Sequence, residues 1–253
     1  MDALATTMTL ALQIDGLKKA FGGLPATNDV SLEVTHGERR LIIGPNGAGK
    51  TTLFNLITGD LRADAGTIRV FGEDVSHLAP HQRAHLGLAR TYQIIKLFPK
   101  DSLEHNVVLS LLGLSKTRWN AFRSLAVETE LRGEARRVLA LVGLEQRASR
   151  PIGEVSYGEK RRVEIAMALA QRPRLLLLDE PLAGLSREER SAVKTLISGI
   201  SRDVTVVMIE HDMDTALDLA DRVTVLHYGN IIVEGTRSEV VANPKTREVY
   251  LGN

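Results

Sequence analysis

Residues 44–52 constrain the fold of this chain more than any other part of its sequence. They read Gly-Pro-Asn-Gly-Ala-Gly-Lys-Thr-Thr and match the pattern G-x-x-x-x-G-K-[ST]. A strand-like segment, residues 41–43, precedes them, and a helix-like segment, residues 53–58, follows. A glycine-rich turn with an incidental lysine is the alternative, but a chance match in a chain of this length has a probability of about one in a hundred. The order of strand, loop and helix therefore predicts a phosphate-binding loop.

The residue types in this loop suit the binding of a nucleotide. Glycines let the backbone curl so that N–H groups point at phosphate oxygens, and the following helix directs its positive dipole end to the same place. Lys50 can reach the β- and γ-phosphates, and the hydroxyl of Thr51 is a suitable ligand for Mg²⁺. We therefore expect ATP to be held by Gly44, Pro45, Asn46, Gly47, Ala48, Gly49, Lys50, Thr51 and Thr52.

Two acids, Asp179 and Glu180, directly follow the apolar run 175–178. Parallel strands deliver such residues to the crevice where α/β folds bind ligands. We expect Asp179 to hold Mg²⁺ through water and Glu180 to polarise the attacking water as general base, because successive strand residues face different ways. Taken alone, the pair would more often simply end a strand, and the phosphate loop is what favours the catalytic interpretation. His211, after the strand-like segment 204–209, is expected at the same edge, near the γ-phosphate.

A helix is predicted to begin at Tyr157, with Ser156 and Glu159 as a capping box. Lys160, Arg161 and Arg162 lie in its first turns, where cations oppose the helix dipole. A phosphate docking at the helix start would offset that opposition. Since the chain already has a phosphate loop, this second anion site is expected to serve a nucleotide held by another molecule.

The order of elements predicts an α/β fold, a P-loop NTPase (RecA-like) core with an antiparallel β subdomain and an inserted helical subdomain. Apolar strands separated by helices favour a parallel sheet, and the closely spaced early strands favour the antiparallel part. We expect one ATP-binding domain over residues 9–253 of the 253, with core and β subdomain at 9–93 and 157–253. The helical subdomain would cover about residues 94–156 and the start of the helix at Tyr157.

Composition excludes several classes of protein. The 32 Lys and Arg balance 31 Asp and Glu, so a nucleic-acid partner is not expected. There is no cysteine for disulfides or thiolate metal sites. The longest apolar run, residues 165–170, holds six residues, whereas a membrane helix needs about 20. The N-terminal residues lack the basic start of a signal peptide, and we expect a soluble or peripheral protein.

These motifs, in this order, resemble the ATP-binding cassette of ABC transporters over nearly the whole chain from about Leu10. Residues 44–52 look like Walker A and residues 175–180 like Walker B, with Glu180 as the catalytic glutamate. Residues 156–159 lie where the family has its LSGGQ signature, and residues 183–186 match the D-loop. Gln93 is similar to the glutamine of the Q-loop, His211 to the switch histidine, and Phe21 to the ring that stacks on adenine.

The resemblance implies a head-to-tail dimer of cassettes with two ATP molecules at its interface. Glu180, His211 and Gln93 would be catalytic, and Thr51, Gln93 and Asp179 would hold Mg²⁺. The signature residues Ser156, Tyr157, Gly158 and Glu159 would contact the partner's nucleotide. The sequence departs from the family pattern at three positions: Tyr157 replaces a glycine, Glu159 a glutamine, and Ser186 an aspartate.

Within the family, three segments look like the LivG-type ATPases of branched-chain amino acid importers: residues 90–93, 210–213 and 250–252. Related cassettes for urea, other amides or lipopolysaccharide remain alternatives, as does a soluble cassette ATPase. A P-loop kinase or GTPase is disfavoured because no N-K-x-D motif is present.

The implied partners are integral membrane permease subunits, a second cassette from the same or a sister chain, and indirectly a solute-binding protein. The implied location is the cytoplasmic side of the inner or plasma membrane. Residues 94–98 would border the groove for a membrane subunit, or equally belong to the core.

Overall fold

The computed structural model of the chain describes residues 9–93, 96–115, 125–211 and 216–251, and only the backbone of residues 125–127 and 251. It divides into two compact units, residues 1–86 with 201–253, and residues 87–200. The predicted helical insertion, residues 94–156, falls inside the second unit.

The elements in chain order are β1 (Leu10–Phe21), β2 (Leu24–Thr35), β3 (Arg39–Ile43), α1 (Lys50–Thr58), β4 (Ala65–Val70), β5 (Glu73–Asp74), α2 (Pro80–His85), β6 (Leu88–Arg90), α3 (Leu103–Gly113), α4 (Leu125–Leu141), α5 (Tyr157–Ala170), β7 (Leu175–Asp179), α6 (Arg187–Gly199), β8 (Thr205–Ile209), β9 (Arg222–His227), β10 (Asn230–Gly235), α7 (Arg237–Ala242) and α8 (Pro244–Leu251). Single 3-10 turns lie at Glu145–Arg147, Ile152–Glu154 and Leu217–Leu219.

The first unit contains the expected antiparallel sheet, in the order β2-β1-β4-β5. β1 and β2 form a hairpin whose turn is Gly22 and Gly23, both with positive φ. The strands alternate between buried and exposed positions, and Leu12, Ile14 and Leu32 are at most 2% exposed. This alternation is typical of a sheet with one face on the core and the other in water.

The second set of strands in this unit runs in the order β10-β9-β3-β8. β3 pairs in parallel with both β8 and β9, and all five of its residues are buried. The hairpin predicted at residues 228–230 joins β9 to β10. Helix α1 leaves β3 through the glycine-rich loop and ends at Gly59 in a left-handed conformation. The chain therefore has the α/β fold with antiparallel and parallel sheets that its sequence predicts.

Arg83 caps the C-terminal end of α1. Its guanidinium is 2% exposed, and Nη1 donates to the backbone oxygens of Leu56 and Ile57 at 2.7 Å each. Its Nε donates to the oxygen of Leu78 at 3.0 Å. The carbonyls of Leu56 and Ile57 lie in the last turn of α1, where intrahelical donors run out, and that of Leu56 also accepts from the N–H of Gly59 at 3.3 Å. Arg83 thus satisfies the helix end and joins it to the segment before α2.

In the second unit, β6 and β7 form a parallel pair, and α3, α4 and α5 surround a separate apolar core. Leu103, Val107, Leu139, Val163 and Ala166 in this core are fully buried. The last two lie on α5 at the spacing that its sequence predicts. No helix among the described residues is long and apolar enough to cross a membrane.

Two predicted elements differ from the structure. The turn-forming residue types at 21–25 predict a turn over the whole segment, but only residues 22–23 form it, because β1 extends to Phe21 and β2 begins at Leu24. The sequence of residues 213–220 predicts a helix; residues 213–215 lie outside the described residues, and Leu217–Leu219 is a single 3-10 turn.

Candidate functional site

In the phosphate loop of the first unit, two glycines are required by their surroundings. A Cβ added to Gly44 would lie 2.1 Å from the oxygen of Leu226, and one added to Gly49 would lie 2.1 Å from the oxygen of Ala26. Gly49 also has φ 100 and begins α1. Any side chain at these positions would collide with backbone, so the loop can keep its path only with glycine.

Lys50 is the first residue of α1 and is 5% exposed. Its ammonium donates to the oxygens of Gly44 at 2.6 Å and Pro45 at 3.0 Å. The same loop is tied to the β9–β10 hairpin, because the N–H of Gly229 donates to the oxygen of Ala48 at 2.9 Å. The lysine therefore lies along the loop, at the place where a phosphate group would need its charge.

His211 and the phosphate loop lie at the same edge of the parallel strands of this unit. Ile42 on β3 is level with Ile209 on β8, so position 44 is level with His211. Both strands run in the same direction, and each residue is two positions past that pair. This placement agrees with the expectation of a histidine near the phosphates. Phe21, at the end of β1, is 48% exposed, and the ammonium of Lys19 lies over its ring, 5.7 Å from the centroid.

The two acidic residues of the predicted site, Asp179 and Glu180, lie in the second unit. Asp179 is the last residue of β7 and is 1% exposed, and Glu180 is 4% exposed. The Nη2 of Arg90 donates to Oδ2 of Asp179 at 2.8 Å. Oδ1 of Asp179 is buried and has no hydrogen-bond partner among the described residues. A buried carboxylate oxygen of this kind fits a hydrated Mg²⁺, which prefers oxygen ligands and keeps several waters.

Glu180 does not continue the strand. Its φ is +48, in the left-handed region, so the alternation of strand side chains does not explain why the two acids point differently, and that argument was wrong. The turn of the backbone after Asp179 separates them instead. Nε2 of Gln93 donates to Oε2 of Glu180 at 2.9 Å, so two predicted catalytic residues are in direct contact.

The chain before Gln93 is held by α5. Arg161 is fully buried, and its Nη1 donates to Oε2 of Glu164 at 2.7 Å and to the oxygen of Tyr92 at 3.0 Å. The N–H of Tyr92 donates to Oε1 of Glu164 at 3.0 Å. Burial raises the pKa of Glu164, while the hydrogen bond from Tyr92 and the charge of Arg161 partly oppose that rise. Arg161 and Glu164 thus fix the backbone that carries Gln93.

The start of α5 has the predicted capping box. Oγ of Ser156 accepts from the N–H of Glu159 at 3.2 Å, and Oε2 of Glu159 accepts from the N–H of Ser156 at 2.9 Å. Glu159 also pairs with Arg147 at 2.8 Å and is 9% exposed.

Two of the three cations at the start of α5 have partners that do not depend on an anion, so the anion site there stays a prediction. Arg161 pairs with Glu164, and Nη1 of Arg162 donates to the oxygen of Val142 at 3.0 Å. Both arginines are therefore accounted for by partners within the unit.

Two of the three departures from the family pattern, Tyr157 and Ser186, lie beside or within the D-loop segment, residues 183–186. A Cβ added to Gly184 would lie 3.4 Å from the ring of Tyr157, so that ring borders the D-loop segment. Ser186 is the N-cap of α6, and its Oγ accepts from the N–H of Glu189 at 3.3 Å. Serine and aspartate both cap helices well, so the replacement keeps this structural role.

Sequence reasoning missed the functional neighbours of these residues. Arg90, Arg161, Glu164 and Glu189 were not predicted to contact the site. The spacing of three between Arg161 and Glu164 on a predicted helix was a usable signal for a pair. The partners of Arg90 and Glu189 are about 30 or more residues away, and no local pattern indicates them.

Comparison with known proteins agrees with this arrangement. The family described as ABC transporter matches residues 27–183. The chain is 39% identical to the high-affinity branched-chain amino acid transport ATP-binding protein BraF of Pseudomonas aeruginosa, over 95% of this chain and 97% of that protein. It is 35% identical to LivG of Escherichia coli K12, of the same description, with the same two coverages of 95% and 97%.

Solved structures give the same answer at the level of the fold. The ADP conformation of MJ1267, an ATP-binding cassette of an ABC transporter, is 29% identical, with a TM-score of 0.83 over 96% of this chain and 99% of that one. The family match covers more than half of the chain, and the relatives are matched almost end to end. The chain belongs to the ABC transporter family, as one of its ATP-hydrolysing cassettes.

Proposed function

We propose that this chain is the ATP-hydrolysing subunit of an importer of branched-chain amino acids. The observation that carries this proposal is the 39% identity to BraF over 97% of that protein's length. The subunit would lie on the cytoplasmic side of the membrane and work with integral permease subunits. A second cassette, from the same or a sister chain, and a solute-binding protein would complete the system.

The loop residues Gly44 to Thr52 would grip the triphosphate of ATP. The close approach of Gly44 and Gly49 to neighbouring backbone supports this role, because it holds the loop in one shape before nucleotide arrives. Lys50 would exchange its two carbonyl contacts for phosphate oxygens. Phe21 would stack on the adenine ring with its exposed face.

Glu180 would take the proton of the attacking water, and Gln93 would orient the carboxylate that does so. Their hydrogen bond of 2.9 Å supports this pairing. His211 would contact the γ-phosphate. Thr51, Gln93 and Asp179 would hold Mg²⁺ with oxygen ligands, and the metal would neutralise phosphate charge.

The start of α5 would bind the nucleotide of the partner cassette. Ser156 and Gly158 offer a hydroxyl and a backbone N–H at a helix N-terminus, where an anion is favoured. Tyr157 would border the nucleotide, and Glu159 would act through the cap that orients Ser156. Nucleotide binding would close the pair of cassettes, and hydrolysis would let it open.

The catalytic part is tested by Glu180→Gln in the purified transporter. We expect turnover to fall by about 10²–10⁴-fold, the usual contribution of a general base, while ATP stays bound. Glu188→Gln is the matched control, since it makes the same chemical change at an exposed position of α6. Normal turnover in Glu180→Gln would mean that the base is misassigned.

The transport part is tested by uptake of radiolabelled leucine in cells that lack this gene. Uptake should fall, should be restored by the unmodified gene, and should not be restored by Glu180→Gln. If uptake is unchanged while the purified chain hydrolyses ATP, then branched-chain import is wrong. Urea or amide uptake would then be measured in the same cells.

A further inference from the structure

Glu189, in the first turn of α6, bridges the starts of two helices. Its Oε1 accepts from Oγ of Ser156 at 2.8 Å and from the N–H of Gly158 at 3.0 Å, both at the start of α5. Its Oε2 accepts from the N–H of Ser186 at the start of α6 at 3.1 Å. These hydrogen bonds, from Ser156, Ser186 and Gly158, lower the pKa of Glu189. The carboxylate is therefore ionised at neutral pH.

The contact depends on the glycine at position 158. A Cβ added there would lie 2.6 Å from both Cγ and Cδ of Glu189. The glutamate therefore packs directly on the backbone of the signature residue. Glu239 in α7 provides a comparison, since its carboxylate has the same capping role for Thr236 at 2.7 Å. Glu189 differs from Glu239 because its carboxylate also accepts hydrogen bonds from the start of a second helix, α5.

We propose that Glu189 competes internally for the anion site at the start of α5 and so sets the ATP concentration at which the cassette pairs with its partner. This inference rests on the proposed function, in which Ser156 and Gly158 bind the partner's nucleotide. A hydroxyl and an N–H each have one proton to donate. Glu189 and a phosphate group cannot both receive these protons, and their like charges repel.

The side chain of Glu189 is able to leave. Residue 189 is only partly buried, so a rotation of the side chain carries the carboxylate into water. The rotation breaks a small set of exposed or partly buried hydrogen bonds, each of modest net strength. The contact therefore raises the ATP requirement for pairing without preventing it.

Glu189→Ala in the transporter purified with its membrane subunits tests this inference. The half-saturating ATP concentration for hydrolysis should fall by about fivefold, the equivalent of one net hydrogen bond. The affinity of the isolated chain for a fluorescent ATP analogue should stay unchanged, since that site is the phosphate loop. Glu239→Ala is the matched control, because it removes a capping glutamate that touches no signature residue, and it should leave the half-saturating concentration unchanged.

Glu189→Gln is the second variant, in case the alanine variant folds poorly. It keeps an oxygen acceptor and loses the charge, so a smaller decrease in the same direction is expected. A half-saturating concentration that is unchanged or raised in both variants, with normal ATP binding, would overturn this inference alone. Failure of the unmodified chain to bind ATP would overturn the proposed function as well.

Discussion

Replacing Arg161 by leucine tests how the signature helix supports the chain before Gln93. The guanidinium is fully buried, and it is 2.7 Å from Glu164, whose side chain is 10% exposed. Removing one partner of a buried ion pair leaves an uncompensated charge, which costs about 3 kcal/mol or more. For a chain of this length that corresponds to a melting temperature lower by about 6–12 °C.

The loss of stability in Arg161→Leu should depend on pH, and the direction of that dependence follows from the pKa of Glu164. Burial already raises the pKa of Glu164, and the charge of Arg161 lowers it. Without the arginine, the pKa in the folded chain rises further above the unfolded value. Between these two values the folded state binds more protons, so the free energy of unfolding falls as the pH increases. The loss of stability should therefore be smaller at pH 5 than at pH 8, because protonation of Glu164 removes its uncompensated charge.

Urea unfolding of the purified chain at pH 5 and pH 8 measures both quantities. Arg172→Leu is the control, because Arg172 pairs with Glu134 at an exposed position and should contribute less than about 1 kcal/mol. Equal losses for Arg161→Leu at the two pH values would refute the electrostatic argument. A loss no greater than that of the control would refute the importance of the buried pair.

Three further predictions concern single contacts. Gly49→Ala should abolish binding of a fluorescent ATP analogue, because the new Cβ would meet backbone at 2.1 Å. The control is Gly133→Ala, where a Cβ meets nothing within 4 Å; it should leave binding unchanged and raise the free energy of unfolding by up to about 1 kcal/mol. Arg90→Met should lower the free energy of unfolding in urea by about 3 kcal/mol, because it leaves the buried carboxylate of Asp179 without its ion-pair partner. Adding Asp179→Asn should recover part of the loss, and no recovery would mean that the Arg90–Asp179 pair does not carry the effect. Arg83→Leu should lower the melting temperature, because the buried carbonyls at the end of α1 lose the hydrogen bonds that Arg83 donates, and an unchanged melting temperature would contradict that role.

The local parts of the site could be predicted because their signals are local. Helix α1 follows the phosphate loop and helix α5 begins at Tyr157, as their sequences predict, and Ser156 caps α5 as its sequence indicates. A glycine-rich loop, a capping box and a run of four leucines each reveal themselves within ten residues. The same local signals identified the family.

The remaining features depend on contacts that sequence spacing does not contain. Three consecutive cations gave no sign that Arg161 would be buried against a backbone 69 positions away. Glu189 contacts Ser156 across 33 positions, and a capping pattern predicts only its bond to its own helix. The left-handed backbone of Glu180 is likewise set by tertiary packing, since its residue type favours other conformations.

That backbone conformation has a consequence for how this position changes under selection. Glycine or asparagine would occupy φ +48 with less strain, by about 1 kcal/mol. Neither has a carboxylate to accept a proton from water. In the proposed mechanism Glu180 is the general base, so a screen of random variants for heat resistance alone would enrich replacements at position 180 that abolish ATP hydrolysis. A library meant to stabilise the transporter should therefore leave this codon unchanged.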